Sequence, residues 1–157
     1  MRWCSHDRAA GAALPVRSGM TEVELLQTLL AAEHAADYGY GVLGARLDDV
    51  RRRQALEAVA AHRTHRDQLT TLLRARGAAT PGPEASYDVT VVGAPDALAL
   101  AARLEDGLAV RWRDLVGGTD DAALRRIGIE GLTGCAVRAT RWRVTSGVAV
   151  ATTALPG

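Results

Sequence analysis

Apolar residues recur in alternating steps of three and four along four stretches of the chain, the spacing that lines one face of an α-helix. The first stretch reads Leu26, Leu29, Glu33, Ala36, Tyr40, Leu43, Leu47, and the second Ala55, Ala58, His62, His65, Leu69, Leu72. The third reads Leu98, Ala101, Glu105, Leu108, Trp112, Leu115, and the fourth Ala123, Ile127, Glu130, Gly134, Val137. Each seam carries an ionisable residue near its middle. A carboxylate facing a core is costly unless it is paired, protonated or bound to a metal. One such group on every helix reads as a site.

Local signals place the helix ends. Thr21 with Glu24 has capping-box spacing, so the first helix is expected from Thr21 to about Leu47. Asp48 and Asp49 supply the turn and the next cap, and the second helix runs from about Val50 to Arg76, with Gly77 as its stop. Pro95 suits the first turn of a third helix ending near Val116, and Asp120 or Asp121 caps a fourth that extends to about Arg143. Helices joined by tight turns must lie antiparallel, giving two hairpins. The connection from Gly77 to Ala94 is long enough to return along the bundle and set the third helix parallel to the second, and a shorter path to an antiparallel third helix stands as the alternative. Its Tyr87–Val92 segment has strand-like composition but no second strand to pair with, and is expected to lie extended on the bundle.

The polar groups also match in height. Counted from the hairpin turns, Glu33 faces His62 and His65 in the first hairpin, and Glu105 comes within about one turn of Glu130 in the second. Glycines interrupt two helices, at Gly39, Gly41 and Gly44 and again at Gly128, Gly131 and Gly134. Each costs about 1 kcal/mol against alanine inside a helix, so close approach of the first and fourth backbones is expected to offset them.

The run Ala32-Glu33-His34-Ala35-Ala36-Asp37-Tyr38-Gly39-Tyr40-Gly41, with the Thr-Ala-Leu-Pro-Gly end, resembles an actinobacterial ferritin-like domain of unknown function. The resemblance spans about Thr21 to Gly157 and implies an all-α, ferritin-like four-helix bundle. Di-iron members of that superfamily draw one Glu from each of two helices and a Glu-x-x-His pair from each of the other two. Here Glu33 and Glu105 match the single carboxylates. The second helix reads His62-Arg63-Thr64-His65, keeping the histidine but not the carboxylate, and the fourth reads Glu130-Gly131-Leu132-Thr133, keeping the carboxylate but not the histidine. The implied metal residues are therefore Glu33, His62, His65, Glu105 and Glu130. Glu33, His62 and His65 suit a single iron, manganese or zinc ion. The competing expectation is a buried network in which the carboxylates pair with His62, His65, Arg63, Arg66 or Arg138. Tyr40 and Trp112 are then core aromatics, His34 lies at the surface, and Trp142 packs against the tail or a partner subunit.

Composition narrows the field. Net charge is +1, and all 19 cations are arginines, a bias best explained by codon usage in a GC-rich genome. The densest basic run, Arg51 to Arg53, has acidic neighbours and no interleaved aromatics, which argues against nucleic acid. No apolar stretch is long enough to cross a membrane. Cys4 and Cys135 have no metal or redox spacing, and Cys135 is expected to be a buried, inert thiol in a cytoplasmic protein. Residues 1–20 are expected to form a disordered N-terminal extension before a bundle domain at 21–157. Three functions stand open: a ferritin-like protein with a divergent, non-metallated centre, an iron- or manganese-dependent oxidase, ferroxidase or oxygenase, and a helical interaction module. The third implies a homo-oligomer, a dimer for instance, with the small apolar tail after Val144 at the contact.

Overall fold

The computed structural model describes residues 19–149, and the tail beyond them and nearly all of the proposed N-terminal extension lie outside the described residues. Four helices follow in order, α1 (Glu22–Gly44), α2 (Asp49–Ala75), α3 (Ala94–Gly118) and α4 (Ala122–Ser146), and no strand occurs among the described residues. The fold class is the expected all-α four-helix bundle. None of these helices is long and apolar enough to cross a membrane.

The helix ends follow local chemistry. At the start of α1 the Thr21 amide donates to Glu24 Oε2 at 2.6 Å and the Glu24 amide donates to Thr21 Oγ1 at 3.3 Å, completing the capping box. The helix stops at Gly44, short of Leu47, because the last amides turn back onto carbonyls only three residues behind, Arg46 onto Leu43 and Leu47 onto Gly44. Asp48 caps α2 by accepting from the Arg51 amide at 2.9 Å. Gly77 ends it in the left-handed region (φ 65°), with the Ala78 amide donating back to the Leu73 carbonyl at 3.0 Å. Asp121 caps α4 by accepting from the amides of Ala123 and Leu124.

The α2–α3 connection takes the long path. Gln27 donates to the Ala79 carbonyl at 2.9 Å, His34 Nε2 donates to the Pro81 carbonyl at 3.2 Å, and Tyr38 and Tyr87 rings lie 5.2 Å apart. These contacts trace the chain along α1 from its start toward its end, where Val91 is buried beside Leu43 and Leu47. So α3 begins beside the end of α1 and runs parallel to α2. His34 is held by the connection, away from the interior chemistry. The Tyr87–Val92 segment forms no strand despite its strand-like composition and runs along the bundle without a pairing partner among the described residues.

The apolar core is divided in two. One cluster surrounds Leu26, Leu29, Leu30, Leu69, Leu73, Trp112 and Leu115, and the other surrounds Tyr40, Leu43, Ala55, Leu98 and Trp142. Each fully buried leucine contributes roughly 1.5–3 kcal/mol. The fully buried polar residues Glu33, His62 and Glu105 form the layer between the clusters.

Glycines set which helices approach. A Cβ on Gly39 would stand 2.8 Å from Leu104, one on Gly128 2.7 Å from Val116, and one on Gly131 2.4 Å from the Trp112 ring. All three neighbours belong to α3. The expected direct approach of α1 and α4 is therefore replaced by two close approaches onto α3, one from each side. We expect Gly131→Ala to lower stability by roughly 1–3 kcal/mol, because the Trp112 ring is fully buried and has no room to yield. Gly41→Ala, where a Cβ meets nothing within 4 Å, should raise it by about 1 kcal/mol. Urea unfolding midpoints of the two variants check both signs.

Candidate functional site

Mid-height on the rods, four helices contribute to one buried polar layer. His62 on α2 spans it. Its Nδ1 lies 2.8 Å from Glu33 Oε2 on α1, and its Nε2 lies 3.1 Å from Glu105 Oε1 on α3. To donate to both carboxylates the ring must carry both protons, and so a positive charge. Glu105 Oε1 also accepts from Tyr40 Oη at 2.6 Å and from Arg138 Nε at 2.9 Å. Tyr40 Oη in turn accepts from Trp142 Nε1 at 2.9 Å. The chain of bonds runs from α4 through α1 and α3 to α2 and back to α1.

Burial makes this layer expensive to disturb. Glu33, His62 and Glu105 are all inaccessible to water. Burial works to raise the Glu33 carboxyl, but the imidazoles of His62 and His65 outweigh it and hold the group below its ordinary value. Burial likewise opposes ionisation of Glu105, and His62 with Arg138 overcomes it. For His62, burial favours the neutral ring, yet its bonds to Glu105 and Glu33 push the imidazolium pKa up to about 9. Arg138 is held more firmly charged: burial works against it, and Glu105 prevails. Two carboxylates face two cations in a closed set.

Not every predicted ligand is here. Glu33, His62, His65 and Glu105 come together, but Glu130 is exposed on the outer face of α4 and takes no part. The buried face of α4 is Leu124, Gly128, Gly131, Cys135, Ala139 and Trp142, one residue on from the expected seam. Glycine and cysteine add little to an apolar pattern, so the face that touches α3 was hidden in the sequence. That rotation brings Arg138 to Glu105 in place of Glu130. A reading that began at Trp142 and stepped back by three and four finds Ala139, Cys135, Gly131 and Gly128. Trp142 itself is buried within the bundle core, 3% exposed, and the tail it was expected to meet lies mostly outside the described residues. Arg63 and Arg66 serve the surface by pairing with Asp37. Cys135 is buried and free, with its thiol pushed up by burial, which suits an inert role.

The chain has clear relatives. Residues 25–157 match the family described as a domain of unknown function, DUF4439. The chain belongs to that family. A solved structure of a conserved hypothetical protein, rv2844, from Mycobacterium tuberculosis is similar over 82% of this chain and 98% of its own, at 35% identity and a TM-score of 0.78. No curated protein matches the chain.

As to ligation, the DUF4439 chain places donor atoms of Glu33, His62 and His65 within 4.8 Å of one another. His65 Nδ1 lies 3.3 Å from Glu33 Oε1, but without hydrogen-bond geometry. Glu33 Oε1, His65 Nδ1, Glu105 Oε2 and Trp112 Nε1 are buried with no hydrogen-bond partner among the described residues. Three of these can ligate. A dinuclear centre does not fit, because α4 presents a guanidinium where it would have to present a ligand, and Thr133 and Glu130 are exposed.

The His62 charge predicts a pH profile. Its folded value, about 9, exceeds the ordinary 6.5, so its contribution is complete below pH 6.5 and is lost as pH rises through 9. Glu33 and Glu105 lie below their ordinary 4.5, so theirs is present above pH 4.5 and lost on acidification. Unfolding free energy should be greatest between these limits and fall by roughly 3 kcal/mol between pH 6.5 and 9. Denaturant titrations across pH test this, with His62→Gln expected to remove the alkaline slope. A flat wild-type profile above pH 6.5 would contradict the imidazolium bridge.

Proposed function

We propose that this chain is a ferritin-like bundle whose centre is closed by the protein's own cations, and that it acts as a metal-independent binding scaffold, not as an oxidase. The ferritin-like reading is supported by topology: two antiparallel hairpins, a long crossover that sets α3 parallel to α2, and polar residues meeting at mid-height. One observation carries the metal-free reading. Glu105 Oε1 holds His62 Nε2 at 3.1 Å and Arg138 Nε at 2.9 Å, so the carboxylate is occupied by two protein cations. A metal ion entering the layer would meet positive charge already in place and would gain no ligand from α4. Protein cations of this kind do not exchange and do not change oxidation state.

A single-ion centre is the second reading. It is favoured by the unpartnered atoms Glu33 Oε1, His65 Nδ1 and Glu105 Oε2. Two histidines and a carboxylate are a donor set suited to iron, manganese or zinc. It ranks second because His62 would have to give up a proton and leave Glu33 before its Nδ1 became a ligand.

Protein purified from cells grown with added iron and manganese should carry far less than one metal ion per chain by elemental analysis. A Glu33→Ala/His65→Ala double variant should leave that content unchanged. Stoichiometric metal in the wild type, lost from the double variant, would overturn the metal-free reading and establish the single-ion centre.

A further inference from the structure

Among the described residues, one side of the bundle is open. The pairs α1–α2, α1–α3 and α3–α4 pack closely, whereas α2 and α4 do not. Small residues, Ala58 and Ala61 on α2 and Gly134 on α4, line part of the gap, beside the longer Gln54, Glu57 and Arg141. A cleft of about 490 Å³ remains between the two helices, within the usual range of roughly 300–1,000 Å³ for small-molecule sites.

We infer that the α2–α4 cleft binds a small organic carboxylate with an apolar body. The receptor for the charged end is Arg138. Its Nε is fixed on Glu105 at 2.9 Å and its Nη2 on Cys135 Sγ at 3.3 Å. Its Nη1 makes no hydrogen bond within the described residues and lies at the cleft wall, 3.2 Å from where a Gly134 Cβ would stand. The side chain is only 17% exposed. A guanidinium already oriented and partly stripped of water loses little entropy when an anion arrives. Any side chain larger than glycine at 134 would crowd this nitrogen.

Arg141, one turn further along α4, also lines the cleft and has no ion-pair partner among the described residues. Glu57 on α2 is the one acidic residue facing these two arginines across the cleft. Arg138 is already balanced by Glu105 and Arg141 faces Glu57, so the cleft has no net charge and favours a monoanion held by directional guanidinium donors over a dianionic phosphate. Ala58, Ala61, Val137 and Trp142 supply an apolar wall for the remainder of the ligand. Val137, 44% exposed, is an apolar residue left on the surface at this place. The centre and the cleft thus share Arg138, which faces Glu105 inward and the ligand outward.

This inference deepens the metal-free reading, since it needs Arg138 to remain on Glu105. The test titrates the full-length protein with benzoate and octanoate by calorimetry, using benzyl alcohol as the neutral counterpart of benzoate. Saturable binding at one site per chain is expected, with benzoate at least about tenfold tighter than the alcohol. Arg141→Gln should weaken the acids by about tenfold and leave the alcohol unchanged, while Ala61→Leu should fill the cleft and abolish all binding. Absence of saturable binding, equal affinity for acid and alcohol, or unaltered acid affinity in Arg141→Gln would each overturn the inference. The acid–alcohol comparison decides the matter on the wild type even if a variant fails to fold. Elemental analysis of the same sample separates the two readings: metal-free protein that ignores carboxylates rejects the cleft alone, and stoichiometric metal rejects the metal-free centre.

Discussion

The bundle depends on the imidazolium bridge from Glu33 through His62 to Glu105. Each carboxylate is fully buried, and each alone would cost several kcal/mol in lost hydration. With the bridge and Arg138 in place, both charges are neutralised, and the bridge ties three helices at one height. Hydrogen bonds are directional, whereas the leucine layers above and below present similar surfaces at successive turns. The polar layer therefore specifies register in a way that the apolar clusters do not. Arg138, Tyr40 and Trp142 extend that specification to α4.

α3 is the spine of the structure. Gly39 of α1 and Gly128 and Gly131 of α4 let their helices close onto it, and Trp112 fills the space that Gly131 leaves. This tight packing on one side leaves α2 and α4 apart on the other, where small residues line part of the gap. The cleft is thus a consequence of the same constraint that rotates α4 and brings Arg138 inward.

Protein cations and metal ions equip a helical interior differently. A guanidinium and an imidazolium neutralise carboxylates as an ion would, and they add directional donors. They offer no open coordination position and no redox couple. On the proposed reading, what chemistry remains lies where one of these cations meets solvent, at Arg138 on the wall of the α2–α4 cleft.

The four helices were legible in the sequence because their signals are local. Thr21 with Glu24, Asp48, Gly77 and Asp121 act on amides and carbonyls a few residues away, and the strong seams of α1, α2 and α3 placed Glu33, His62 and Glu105 in the interior. The phase of α4 was not legible. Its inner face is made of glycines, a cysteine and an alanine, which are selected by how near α3 can come and not by their own hydrophobicity. That closeness is a property of two helices together, so only the tertiary structure decided that Glu130 faces water and Arg138 faces Glu105. Chain periodicity determined which residues are candidates for the interior, and helix-to-helix distance determined which of them meet.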